Sequence, residues 1–101
     1  GLAMSSRNQY LSADERVVSA IIHHTLHAMR DSLLVGLPLA QVEADADAAL
    51  RDAGFVPDYA VVRRPDLTEP TDGEAGDLVA LIAARLGRTR LIDNLEFHLA
   101  G

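Results

Sequence analysis

The chain has 101 residues, 49% hydrophobic but only 4% aromatic, enough for one domain with a modest aliphatic core and too few for a catalytic domain plus a second cofactor domain. A formal charge of -6 and so few rings argue against nucleic acid, whose recognition needs a basic face and stacking platforms. Cysteine and lysine are absent, which excludes disulfides, thiolate chemistry and Schiff bases and leaves arginine as the cation for planar contacts to phosphate or carboxylate.

The opening stretch, GLAMSSRNQYLSADER, places two hydroxyls and an arginine just ahead of a helix start. Ser5 and Ser6 are short, directional donors and Arg7 a charge, so together with free backbone N–H groups they can surround a cluster of anionic oxygens. Taken alone, the same triplet also reads as a polar lead-in to a capped helix. Ser12 and Glu15 form a capping-box pattern with Asp14 in the first turn, so a helix is predicted from Ala13. Val18, Ile22, Leu26, Met29 and Leu33 recur at helical spacing on one stripe, and Gly36 supplies a left-handed stop. His23, His27 and Asp31 follow one another at four-residue steps on another face, with His24 beside them. Such a stripe has the spacing of zinc or nickel ligands, but the glutamate of an HExxH motif is missing, so it reads as a solvated face and no metal site is expected. No strained nucleophile turn supports a Ser-His-Asp reading either.

Pro38 suits the start of a second helix, in which Leu39, Val42, Ala46, Ala49, Leu50 and Ala53 keep the period until Gly54. Glu43, Asp45 and Asp47 lack the glycine and terminal glutamate of a calcium loop and read as solvated charge. From Asp58 the period becomes two, predicting a strand that ends before Pro65, and residues 66–76 form a loop rich in Pro, Asp, Thr and Gly. The run LVALIAARL, Leu78 to Leu86, fits a buried strand or a helix by pattern, and its flanking glycines favour strand. A tight connection over 87–89 leads into RLIDNLEFHLA, read as one further extended segment or two short ones. Arg85, Arg88 and Arg90 cluster near this turn, and pairing of Arg88 or Arg90 with Asp93, or contact with another domain, is expected rather than a second phosphate site. The predicted fold is α+β: two helices on one face of a small, mainly antiparallel sheet of about three strands, in two layers.

GLAMSSRNQYLSADER and, at a matching distance, LGRTRLIDN resemble two segments of the C-terminal domain of bacterial pantoate–β-alanine ligases, the pantothenate synthetase family. The resemblance spans nearly the whole chain, so residues 1–101 would form that C-terminal domain, without the N-terminal Rossmann-like catalytic domain that carries the family's HIGH-like motif and pantoate-binding groups. It implies an ATP-dependent ligase that condenses pantoate with β-alanine through a pantoyl adenylate, giving pantothenate, AMP and pyrophosphate. Met4, Ser5, Ser6 and Arg7 match the counterpart of the KMSKS loop that closes over ATP, with Arg7 as the candidate for stabilising the transition state. The loop has no lysine, which departs from KMSKS and leaves Arg7 as its cation. The resemblance further implies ATP with Mg2+ as co-substrate and no cofactor intrinsic to this domain. Its partners would be the N-terminal domain and, in the full enzyme, pantoate, β-alanine and a second protomer of a homodimer. The protein is expected to be cytoplasmic, to bind neither nucleic acid nor membrane, and to be inactive as an isolated domain. The alternative is a free-standing α+β binding or interaction module, with the histidine stripe as its candidate metal site.

Overall fold

The structure, a computed structural model, describes residues 13–100. Helix α1, Ala13–Leu34, starts where the sequence places it, although the side chains of the Ser12–Glu15 cap lie outside the described residues. Ile22, Leu26 and Met29 are buried, and Val18 and Leu33 pack partly against the same cluster, so the stripe is the core face. Thr25 is buried beside them without penalty, because its hydroxyl donates to the Ile21 carbonyl at 2.7 Å.

Helix α2, Leu39–Asp52, buries Val42, Ala46 and Leu50. Ala49 and Ala53, expected on the same face, are exposed. A stripe at 42, 46 and 50 excludes position 49 by one residue's rotation, and Ala53 is already the cap residue beyond the helix. Both helices end in paired backbone bonds around a left-handed glycine. At Gly36 (φ 91°) the amide of Leu37 reaches the Ser32 carbonyl and that of Gly36 reaches Leu33; at Gly54 (φ 96°) the amide of Phe55 reaches Leu50 and that of Gly54 reaches Arg51. In the second case Phe55 and Leu50 are also both buried, the apolar contact that this kind of cap favours. Phe55 is thereby aimed into the core just before β1.

Strands β1 (Val56–Arg63), β2 (Gly76–Leu86) and β3 (Thr89–Leu99) form an antiparallel sheet in the order β1-β2-β3. The ambiguous LVALIAARL run is therefore the central strand, and RLIDNLEFHL is one continuous strand rather than two. Leu78, Ala80, Ile82 and Ala84 point into the cluster shared with both helices. Val79 and Ala83 point the other way yet are also buried, between side chains of the flanking strands, so the run is apolar without alternation. Both helices lie on one face, giving the expected two-layer α+β domain.

The segment 64–75 returns the chain from β1 to β2 and is held by its own charges. Arg64 makes a two-pronged contact with Glu74, Nε to Oε2 at 2.8 Å and Nη2 to Oε1 at 2.7 Å, while Glu74 also accepts from the Thr71 amide. The Arg64 guanidinium, with help from Thr71, holds the Glu74 carboxyl at about 2, well below its usual 4.5. Thr68 likewise lowers Asp66 through its hydroxyl and amide. From this segment Asp72 reaches back 33 residues to accept the Leu39 amide at 2.8 Å. It supplies the carboxylate at the start of α2 that Pro38 cannot provide.

Candidate functional site

The residues singled out for ATP, Met4, Ser5, Ser6 and Arg7, lie outside the described residues. The first described element, α1, begins six positions after Arg7 in sequence and packs against the sheet. Beyond that loop, the arginine cluster at the β2–β3 turn and the histidines of α1 are the remaining groups with chemistry to offer.

The arginine cluster is tied to the strand β1 side rather than to Asp93. Arg90 Nε donates to Asp58 Oδ2 at 2.9 Å, and Arg85 Nε lies 3.7 Å from the same oxygen. The expected pairing of Arg88 or Arg90 with Asp93 does not form. Residues 90 and 93 are an odd number apart on one strand, so their side chains leave opposite faces, and Asp93 instead accepts the Asn94 amide. Asp58 was missed because it sits at an irregularity: the register shifts between Pro57 and Tyr59, leaving Asp58 as the extra residue of a bulge at the end of β1. The Pro-Asp pair at the strand's start was the available signal. With one carboxylate facing two of its guanidinium groups, this cluster is a clasp between β1 and the hairpin, and its capacity for an anion is correspondingly reduced.

Glu43 also departs from its reading as solvated charge. Its Oε2 accepts the Val62 amide at 3.0 Å and Arg63 Nη1 at 3.3 Å, pinning α2 to the outer edge of β1. Asp45 and Asp47 do stay on the surface, paired locally with Gln41 and Arg51.

On α1, His23 and His27 face each other, their Nε2 atoms 3.0 Å apart and their rings 4.4 Å between centroids at an interplanar angle of 63°. Asp31, the third member of the expected stripe, turns away to Arg30, whose Nε and Nη2 lie 3.1 and 2.9 Å from its Oδ1. Among the described residues no group of three or more His, Asp or Glu side chains converges on a metal-sized space. No described helix is long and apolar enough to cross a membrane.

Two helices backed by a three-stranded antiparallel sheet define a small two-layer α+β domain. The family model for pantoate-beta-alanine ligase matches residues 1–96, and the chain belongs to that family. It is 71% identical over 97 residues to the pantothenate synthetase of Xanthomonas oryzae pv. oryzae (strain PXO99A), a match covering 96% of this chain and 35% of the relative. The enzyme of Stenotrophomonas maltophilia (strain R551-3) is 64% identical over 98 residues, covering 96% of this chain and 34% of the relative. Among solved structures, the pantothenate synthetase from Thermus thermophilus superposes with a TM-score of 0.72 at 35% identity, over 90% of this chain and 33% of that one. The chain thus spans about a third of the length of the relatives it matches.

Proposed function

We propose that this chain is the C-terminal, nucleotide-closing domain of a cytoplasmic, homodimeric pantothenate synthetase. In the first half-reaction a pantoate carboxylate oxygen attacks the α-phosphorus of ATP and pyrophosphate leaves; in the second the β-alanine amine attacks the acyl carbon, AMP leaves, and the amine gives up a proton. Pantoate and the rest of the ATP site would belong to the N-terminal domain, so this chain contributes closure. Charge builds on the α-phosphate and the departing pyrophosphate, and a cation with short donors brought against them stabilises that charge most where water is excluded. Arg7 is that cation, Ser5 and Ser6 are the donors, and Met4 flanks the adenosine. Magnesium would accompany the nucleotide as its counter-ion.

The observation that carries the reading is the family match over residues 1–96, which includes the loop itself. Its test is a chimera in which this chain replaces the matching third of the Xanthomonas oryzae enzyme, assayed for single-turnover formation of pantoyl adenylate. The chimera should form adenylate and the chain alone should not. Arg7→Ala in the chimera should slow adenylation by roughly one to two orders of magnitude, since a charge-assisted contact is worth about 1.5–3 kcal/mol, with an unchanged thermal melt. Lysine should rescue only in part, having the charge without the planar fork. A folded chimera without adenylation, or full activity of the alanine variant, refutes the assignment.

A further inference from the structure

We propose that His23 and His27 form a two-nitrogen binding site for a divalent transition-metal ion of the Cu2+ or Ni2+ type, on the surface of α1 and independent of the nucleotide loop. Their Nε2 atoms lie 3.0 Å apart, one turn of helix from each other. Two neutral imidazoles at that distance share one proton: one ring carries it on Nε2, and the other accepts with its Nε2 lone pair. A metal ion takes the place of that proton. The donor ring passes its hydrogen to Nδ1 through solvent, so both Nε2 lone pairs become free, with no net change in protonation. His23 is exposed and His27 half-buried, so each ring can turn about χ2 to aim its lone pair at a common point.

The donor set favours some metals over others. Two imidazole nitrogens with water completing the shell suit Cu2+ and Ni2+ in square-planar or octahedral coordination better than zinc, whose protein sites take three or four side-chain ligands. Asp31 stays with Arg30, so it adds no third ligand, and water fills the remaining positions. Holding the rings in register on a formed helix is what makes the site: the unfolded chain has no reason to keep the two nitrogens 3.0 Å apart.

The test uses the untagged 101-residue chain, titrated with Cu2+, Ni2+ and Zn2+ separately by calorimetry, with histidine ring signals followed by NMR during the Cu2+ titration. One equivalent of Cu2+ should bind saturably and broaden the signals of His23 and His27 before those of His24 and His98. The order of affinity should be Cu2+, then Ni2+, then Zn2+. His23→Ala and His27→Gln should each weaken Cu2+ binding by at least about tenfold and remove the metal-induced rise in melting temperature, whereas His24→Ala should change neither. Metal-free melts that match the wild type show that the variants fold, as expected for side chains outside the core. Undiminished Cu2+ affinity in either pair variant, first broadening at His98 beside Asp77, tighter Zn2+ than Ni2+, or the absence of saturable binding overturns the proposal.

Discussion

Glu43→Ala removes a carboxylate that ties α2 to the outer edge of β1. In the wild type, Glu43 Oε2 satisfies the amide of Val62, whose side chain is fully buried (0% exposed), and contacts Arg63 as well. β2 pairs with β1 from one side only, so an amide directed to the free edge depends on this side chain or on water. A hydrogen bond to a charged group is worth about 1.5–3 kcal/mol, and with Glu43 30% and Arg63 24% exposed, water recovers part of the loss, leaving roughly 1–2 kcal/mol. For a domain of this size that is a fall of roughly 4–16 °C in Tm. Glu43→Gln keeps an uncharged acceptor and should lose less than half as much. Urea melts provide the stability, and native-state hydrogen exchange should show the Val62 amide losing protection beyond what the global change accounts for. If the alanine variant melts with the wild type and Val62 stays protected, the outer edge of β1 does not rely on Glu43.

Leu26→Ala, at a position with no exposed surface between the helix layer and the sheet, should cost about 2–5 kcal/mol in urea melts, while Leu34→Ala, exposed on the same helix, should cost far less; the reverse order would displace the buried stripe. Glu74, held by Arg64 at about 2 against its usual 4.5, contributes stability that is fully present above 4.5 and lost as pH falls toward 2. Glu74→Gln should accordingly be less stable than the wild type at neutral pH, with the gap closing across that window, and a gap independent of pH would remove the Arg64–Glu74 contact from the stability of the 64–75 segment.

Local chemistry was legible because it depends on residues a few positions apart. The stripe of Ile22, Leu26 and Met29, the left-handed stops at Gly36 and Gly54 and the turn at 87–89 follow from backbone geometry and helical period, and the structure has them where the residues imply, while the strand read from Asp58 begins two residues earlier, at Val56. The family, too, was legible in the opening loop and in LGRTRLIDN, because a specific string of residues survives without any coordinates. LVALIAARL shows where this kind of reading stops: its period was uninformative because a central strand between two neighbours buries Val79 and Ala83 as well as its core-facing residues, leaving no polar side to mark.

The partners that stitch the domain together were decided by the tertiary structure alone. Asp72 caps α2 from 33 residues away, Glu43 finds a strand amide 19 residues on, and Asp58 meets Arg90 across 32 residues. Each depends on a register or bulge that no neighbouring residue dictates. Asp93 was the nearer carboxylate in sequence, yet strand alternation turned it away from Arg90, and a one-residue bulge brought Asp58 there instead. The histidines divide the same way. Their four-residue spacing could be read from the chain, but the loss of Asp31 to Arg30 and the 3.0 Å between two ring nitrogens could not, since rotamers are chosen by the neighbours that a folded surface supplies.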